Sequence, residues 1–113
     1  MKVIMYGIKN CDTVKKAINH IEKMGHEIAF YDYKKTPPTE EQIARWASAY
    51  GELPVNKKGT TYKKLAGEFE ALKTEKTKIK FMIENSSMII RPIIEEEKNH
   101  NIVAIGKNFE SIK

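Results

Sequence analysis

The sequence predicts an α/β fold in the order βαβ, a block of helices, then ββα, with four strands in one mixed sheet. An apolar run near the start gives way, past Gly7, to a 3.6-residue periodicity and then to a second run of β-formers, which is the pattern of a strand-helix-strand unit. The middle of the chain carries three amphipathic stretches with helix start and stop signals. The last third holds two strand-like runs separated by polar residues, which suits an antiparallel hairpin. At 113 residues the chain has room for one domain, 1–113, and its 41% apolar content can fill a core that buries about two thirds of the unfolded surface.

Residues 3–6 form the short apolar run of a buried parallel strand, ended by Gly7. From Cys11 onward Val14, Ala17, Ile18 and Ile21 fall at i, i+3, i+4 and i+7, with Lys15, Lys16, Asn19 and Glu22 opposite, so an amphipathic helix is expected to close near Gly25. Residues 28–33 are rich in β-formers, and a right-handed crossover makes this strand parallel to the first. Thr36-Pro37-Pro38-Thr39 breaks the chain. Thr39 and Gln42 then form a capping box for a helix with Ile43, Trp46, Ala47 and Tyr50 on its core face, stopped by Gly51. Residues 53–61 read as a loop. Tyr62, Leu65, Ala66 and Phe69 trace a short helix interrupted at Gly67, and a further helix from about Thr74 faces inward with Ile79, Met82 and Ile83. Residues 88–94 read as a strand around Pro92 and 102–105 as its hairpin partner, with Glu95-Glu96-Glu97 at the solvated tip and a last helical turn after Asn108.

Twenty basic against fifteen acidic side chains give a net charge of +5, which favours anionic partners. The charge is spread along the chain, and its one dense cluster, Lys57, Lys58, Lys63 and Lys64, falls short of a nucleic-acid footprint. No segment approaches the roughly 20 apolar residues of a membrane span, and the first apolar run is too short for a signal peptide. Cys11 is the only cysteine, so no internal disulfide forms, and the usage fits a reducing compartment. The expectation is a cytoplasmic protein with no membrane or nucleic-acid partner. His20, His26 and His100 share no metal-ligand spacing and read as surface residues, so no metal site is expected. The spacing of a P-loop is absent around Gly59, which excludes NTP hydrolysis by that route.

Cys11 carries the chemistry. It follows the C-terminal end of a strand and opens a helix, which is where α/β sheets place their ligand crevices. A helix N-terminus offers backbone amides and the positive end of the dipole, and both favour a thiolate, the nucleophilic form. Without that position a single cysteine reads as a small buried hydrophobe. Asp12 opposes the thiolate, so a compensating base is needed: Lys9 is near in sequence, while Lys58, Arg91 and Lys107 reach the site only through the fold. Arg91-Pro92 interrupts an Ile-rich run where a proline cannot donate to a ladder. It reads either as an edge proline beside an exposed arginine or as a cis bond.

Three separated motifs closely resemble the YffB-like branch of the ArsC/Spx family: residues 6–13 (Tyr-Gly-Ile-Lys-Asn-Cys-Asp-Thr) with Lys16-Ala17, residues 56–65, and residues 90–93 (Ile-Arg-Pro-Ile). The resemblance implies a thioredoxin-like fold with a helical insertion before the ββα half, a redox-active cysteine capping the helix, and a cis proline after the arginine that faces it. Glutathione-coupled arsenate reductases of this family carry arginines at three places; here Arg91 matches one, Lys58 stands at the second and Gly106-Lys107 at the third. Their histidine after the first strand's tyrosine is Gly7 here. Spx-type regulators, which bind the RNA polymerase α subunit, carry Cys-x-x-Cys, and the second position here is Val14.

Together these readings point to an oxidoreductase, a glutathione-dependent thiol reductase in which Cys11 forms a mixed disulfide that an external thiol resolves. Lys58 and Arg91 are expected to hold carboxylates of glutathione or of a small oxidised-thiol substrate. Lys9 and the amides of Asp12 and Thr13 steady the thiolate, Pro92 shapes the groove, and Asn10, Thr13, Thr60 and Thr61 supply polar contacts. Glutathione is a cosubstrate and no bound cofactor is implied; glutaredoxin is a further partner. The alternatives are an Spx-like polymerase-binding regulator and a glutathione- or glutaredoxin-coupled arsenate reductase.

Overall fold

Strand β1 (Lys2–Gly7) is the axis of the structure, a computed structural model that describes residues 1–113. It pairs in parallel with β2 (Glu27–Asp32), with Lys2 opposite Glu27 and Gly7 opposite Asp32. On its other side it pairs antiparallel with β3 (Ile93–Glu96), which pairs antiparallel with β4 (Ile102–Ile105), giving the order β2-β1-β3-β4. The mixed four-stranded sheet is the one the sequence predicts. Helix α1 (Asp12–Lys23) is the crossover between the parallel strands, and Gly25, at φ 88, lets the chain turn back into β2.

The chain divides into two compact units. The first, Met1–Thr36 with Arg91–Lys113, contains the sheet, α1 and a C-terminal 3-10 helix (Gly106–Ser111). Strand side chains alternate between faces. Val3, Met5, Ile94 and Ala104 therefore meet Val14, Ala17 and Ile21 of α1 and Phe109 and Ile112 of the 3-10 helix in one core. His20 on α1 and His26 just before β2 hold residues 112 and 113, with Nε2 of each 2.8 Å from the backbone oxygens of Ile112 and Lys113 respectively.

The opposite face of the sheet overturns one reading. Glu95 is no hairpin tip. It lies in β3 with no exposed surface, its Oε1 accepting a 3.0 Å hydrogen bond from the Tyr6 hydroxyl and standing 3.2 Å from His100 Nδ1. The apolar strand also starts later than the pattern indicates: residues 86–88 form a 3-10 turn, Ile89 makes an isolated bridge to Val55, and β3 begins only after Pro92, which has no N–H to donate.

The second unit, Pro37–Ile90, holds α2 (Glu40–Tyr50), α3 (Thr60–Glu70) and α4 (Glu75–Glu84). The capping box forms as predicted, with Gln42 N donating to Thr39 Oγ1 at 3.1 Å and Thr39 N to Gln42 Oε1 at 2.9 Å. Gly51 ends α2 in the left-handed region. Ile43, Trp46, Phe69, Ile79, Met82 and Met88 are buried, whereas Tyr50 is 40% exposed and is not core. Gly67 does not interrupt α3, because it is exposed and an isolated helical glycine costs only about 1 kcal/mol relative to alanine. No helix of the structure is long and apolar enough to cross a membrane.

Candidate active site

Cys11 occupies the N-cap of α1 with extended backbone angles (φ −100°, ψ 127°), the conformation that turns a cap side chain towards the first amides of its helix. A tight turn delivers it there from β1, Cys11 N donating to the Ile8 carbonyl at 3.3 Å. Close packing behind the turn requires Gly7, since a Cβ at that position stands 2.9 Å from Val14 Cγ2. Gly7 and Val14, two of the positions at which the sequence departs from its resembled relatives, are thus packed so closely that a side chain at the first would strike the second.

The thiol is partly buried, and burial is the largest single influence on it, raising its pKa. Against burial stand the amide of Val14, a hydrogen bond from the Arg91 guanidinium, the amide of Thr13 and the Arg91 charge; together they win, and the thiol titrates below its ordinary value. The contributing amides are those of Thr13 and Val14 rather than of Asp12 and Thr13. This follows from cap geometry, because the N2 and N3 amides point towards the cap side chain and the N1 amide does not. No short capping hydrogen bond closes from the sulfur, so the amides act on it chiefly through their dipoles.

Arg91 reaches this position from the far end of the chain, as the residue before β3. Its bond to Pro92 is cis, and the Pro92 carbonyl accepts a 2.7 Å hydrogen bond from Gly106 N, where a left-handed φ of 65° aims the amide. The guanidinium hydrogen-bonds both the Cys11 sulfur and the Tyr33 hydroxyl. Burial alone lowers the Arg91 pKa, but these two partners outweigh it and hold the charge in place. Tyr33 has no exposed surface, and burial holds its hydroxyl protonated well above the ordinary tyrosine range despite the guanidinium. It sits one residue past β2, with its amide donating to the Gly7 carbonyl at 3.1 Å. The sequence reading missed Tyr33. The signal was available, because the C-terminal ends of parallel neighbours share one crevice, and a residue just past β2 belongs beside the turn that follows β1.

The other expected residues are placed unequally. Asn10 and Lys9 are exposed in the β1–α1 turn, and both line a groove of about 490 Å³ that continues over Ile8, Asp32, Lys34 and Lys35. Lys9 is not among the charges that act on the sulfur, a role that falls to Arg91. Asp12 is exposed in the first helical turn, and Lys107 is exposed on the C-terminal 3-10 helix. Lys58, Thr60 and Thr61 belong to the helical unit, where Gly59 caps α3 and donates its amide to Asn56 O at 3.1 Å. The helical unit carries a depression of its own, about 470 Å³, lined by residues that include Ala47, Ser48, Leu53, Lys73 and Lys78 and offering no nucleophile activated as Cys11 is.

A parallel βαβ unit joined to an antiparallel hairpin, with a cysteine at the head of the first helix and a cis proline just before the third strand, defines a thioredoxin-like protein with one cysteine. The chain belongs to the ArsC family, whose sequence profile matches residues 6–113. It is 36% identical to the solved YffB protein over 82% of each chain, with a TM-score of 0.73. An arsenate reductase (ArsC) related protein from Brucella melitensis is 31% identical, with 99% of this chain and 94% of that one covered and a TM-score of 0.68. The arsenate reductase of Vibrio cholerae shares the fold at a TM-score of 0.81, with 22% identity over 99% and 95% of the two chains. An uncharacterized protein of Haemophilus influenzae is 32% identical over 93 residues, 81% of this chain and 82% of that one.

Proposed function

We propose that the protein is a glutathione-dependent thiol–disulfide oxidoreductase with Cys11 as its nucleophile. The observation that supports this most is the Arg91 guanidinium hydrogen-bonded to the Cys11 sulfur at the head of α1, which favours the thiolate. The thiolate attacks the glutathionyl sulfur of a mixed disulfide, R–S–S–G; a new S–S bond forms between Cys11 and that sulfur, the original S–S bond breaks, and R–S⁻ leaves and takes a proton from water. A second glutathione thiolate attacks the same sulfur, forming G–S–S–G and releasing the Cys11 thiolate. The balance is R–S–S–G plus G–SH giving R–SH plus G–S–S–G, and with one cysteine in the chain the resolving thiol is external.

In this reading the Thr13 and Val14 amides and Arg91 stabilise the thiolate, Pro92 shapes the groove, and Lys9 and Asn10 supply further contacts. No bound cofactor takes part, glutaredoxin is the protein alternative to the second glutathione, and the reducing cytoplasm is the setting. The test is NADPH consumption coupled through glutathione reductase with a glutathionylated substrate. Turnover that vanishes in Cys11→Ser supports the reading, and equal rates in both proteins overturn it.

Arsenate reduction is the second reading, favoured by the guanidinium beside the nucleophile. Lys58 and Lys107, point charges where the resembled reductases carry planar bidentate arginines, weigh against it. Arsenate in place of the disulfide in the same assay separates the two.

A further inference from the structure

The groove over the turn that leads into Cys11 has two walls, each fixed by its own backbone hydrogen bonds. One is the turn of residues 8–11 closed by Cys11 N on Ile8 O. The other is a turn built on Asp32, whose Oδ1 accepts from Lys34 N at 2.9 Å while its carbonyl accepts from Lys35 N at 3.2 Å and Thr36 N at 3.0 Å. Register places the walls together, because Gly7 and Asp32 are opposite one another at the C-terminal ends of the parallel pair. Lys9, Lys34 and Lys35 project from these turns, are exposed, and form no ion pair with Asp32 or any other acid. Three ammonium groups against one carboxylate leave the groove at +2.

A groove of about 490 Å³ is of a size for a small molecule rather than a protein segment, since ligand sites run from about 300 to 1,000 Å³. Its charge selects an anion. Lysines on separate turns suit carboxylates that are themselves set apart along a flexible ligand, whereas a compact oxyanion is held better by converging donors. Asn10, the residue before the nucleophile, lines the same groove, so the groove comes within one residue of Cys11 along the chain.

We infer that this groove is a carboxylate subsite for the thiol that Cys11 exchanges with, and that Lys34 and Lys35, together with Lys9, select a small thiol bearing two separated carboxylates, as glutathione does. The inference rests on the thiol–disulfide chemistry proposed for Cys11 and adds to it which end of the molecule reads the thiol.

The test compares adduct formation on Cys11 by oxidised glutathione and by the neutral bis(2-hydroxyethyl) disulfide, followed by intact mass at low salt, in the wild type and in a Lys34→Ala/Lys35→Ala double variant. Both side chains are exposed, and circular dichroism checks the fold. The variant is expected to react about fivefold more slowly with oxidised glutathione, the scale of two exposed charge pairs, and the ratio of the two rates falls by the same factor. The gap closes as salt rises. An unchanged ratio, or equal slowing with both disulfides, overturns the groove assignment while leaving the Cys11 chemistry intact. A wild type that forms no adduct with either disulfide overturns the chemistry, and the subsite with it.

Discussion

Replacing Arg91 by methionine keeps most of the side-chain volume and removes the one guanidinium that acts on the sulfur. Burial, which raises the Cys11 pKa, then remains, opposed only by the Val14 and Thr13 amides. A hydrogen bond to a charged group contributes about 1.5–3 kcal/mol, but Cys11 and Arg91 are both only partly buried and solvent screens the pair, so the lower end or less applies. At about 1.4 kcal/mol per pKa unit, the Arg91→Met thiol should titrate about one unit higher than the wild type. The sign is fixed: losing a cation disfavours the anion. The pH profile of iodoacetamide alkylation measures this directly, and at a pH below both pKa values the variant should alkylate up to about tenfold more slowly. Superimposable profiles would refute the coupling between Arg91 and the thiolate, and a downward shift would refute its sign.

Cys11→Ser should abolish thiol chemistry and leave the fold intact, since serine is nearly isosteric and a better cap; near-ultraviolet circular dichroism and the mass assay check both halves. Because the folded Cys11 pKa is lowered, its ionisation contributes stability that is fully present above the unfolded thiol's pKa and lost as pH falls through the folded value. The stability difference between wild type and Cys11→Ser should therefore move in the wild type's favour across that window in denaturant titrations. Gly7→Ala should destabilise by about 1–3 kcal/mol, because its Cβ meets the stiff, fully buried Val14, and the added Val14→Ala change should recover part of the cost of the clash in a double-mutant cycle. Tyr6→Phe should cost about 1–3 kcal/mol by removing the hydroxyl that donates to buried Glu95, with a melting temperature like the wild type's refuting that role.

Local pattern carried the fold well wherever one signal dominated. The Thr39/Gln42 box and the left-handed Gly51 bracket α2 as predicted, and the shift from an apolar run to a 3.6-residue period marks the β1–α1 junction with Cys11 at the cap. Failures occurred where a local signal competed with tertiary context. Three consecutive glutamates look solvated, yet alternation in a central strand turns one of them inward, and Tyr6, a diagonal cross-strand neighbour, supplies the donor that makes burial tolerable. Residues 88–94 look like one apolar strand, but the bridge at Ile89 and the proline at 92 divide the run. At the site, the cysteine was legible from position alone, whereas its pairing with Arg91 spans 80 positions of sequence and came only through resemblance. Tyr33 carried no motif, and its role depends on the register that places the end of β2 beside Gly7. No motif marks Lys34 and Lys35; the Asp32 turn places them on the groove that Lys9 also lines.

Thiol–disulfide exchange between Cys11 and external glutathione is read out by intact mass after incubation with oxidised glutathione. A single added glutathionyl group is expected, located on Cys11 by peptide mapping, absent from Cys11→Ser, and removed when reduced glutathione is supplied. A protein that stays unmodified under native conditions, or an adduct on Cys11 that reduced glutathione does not release, would contradict it.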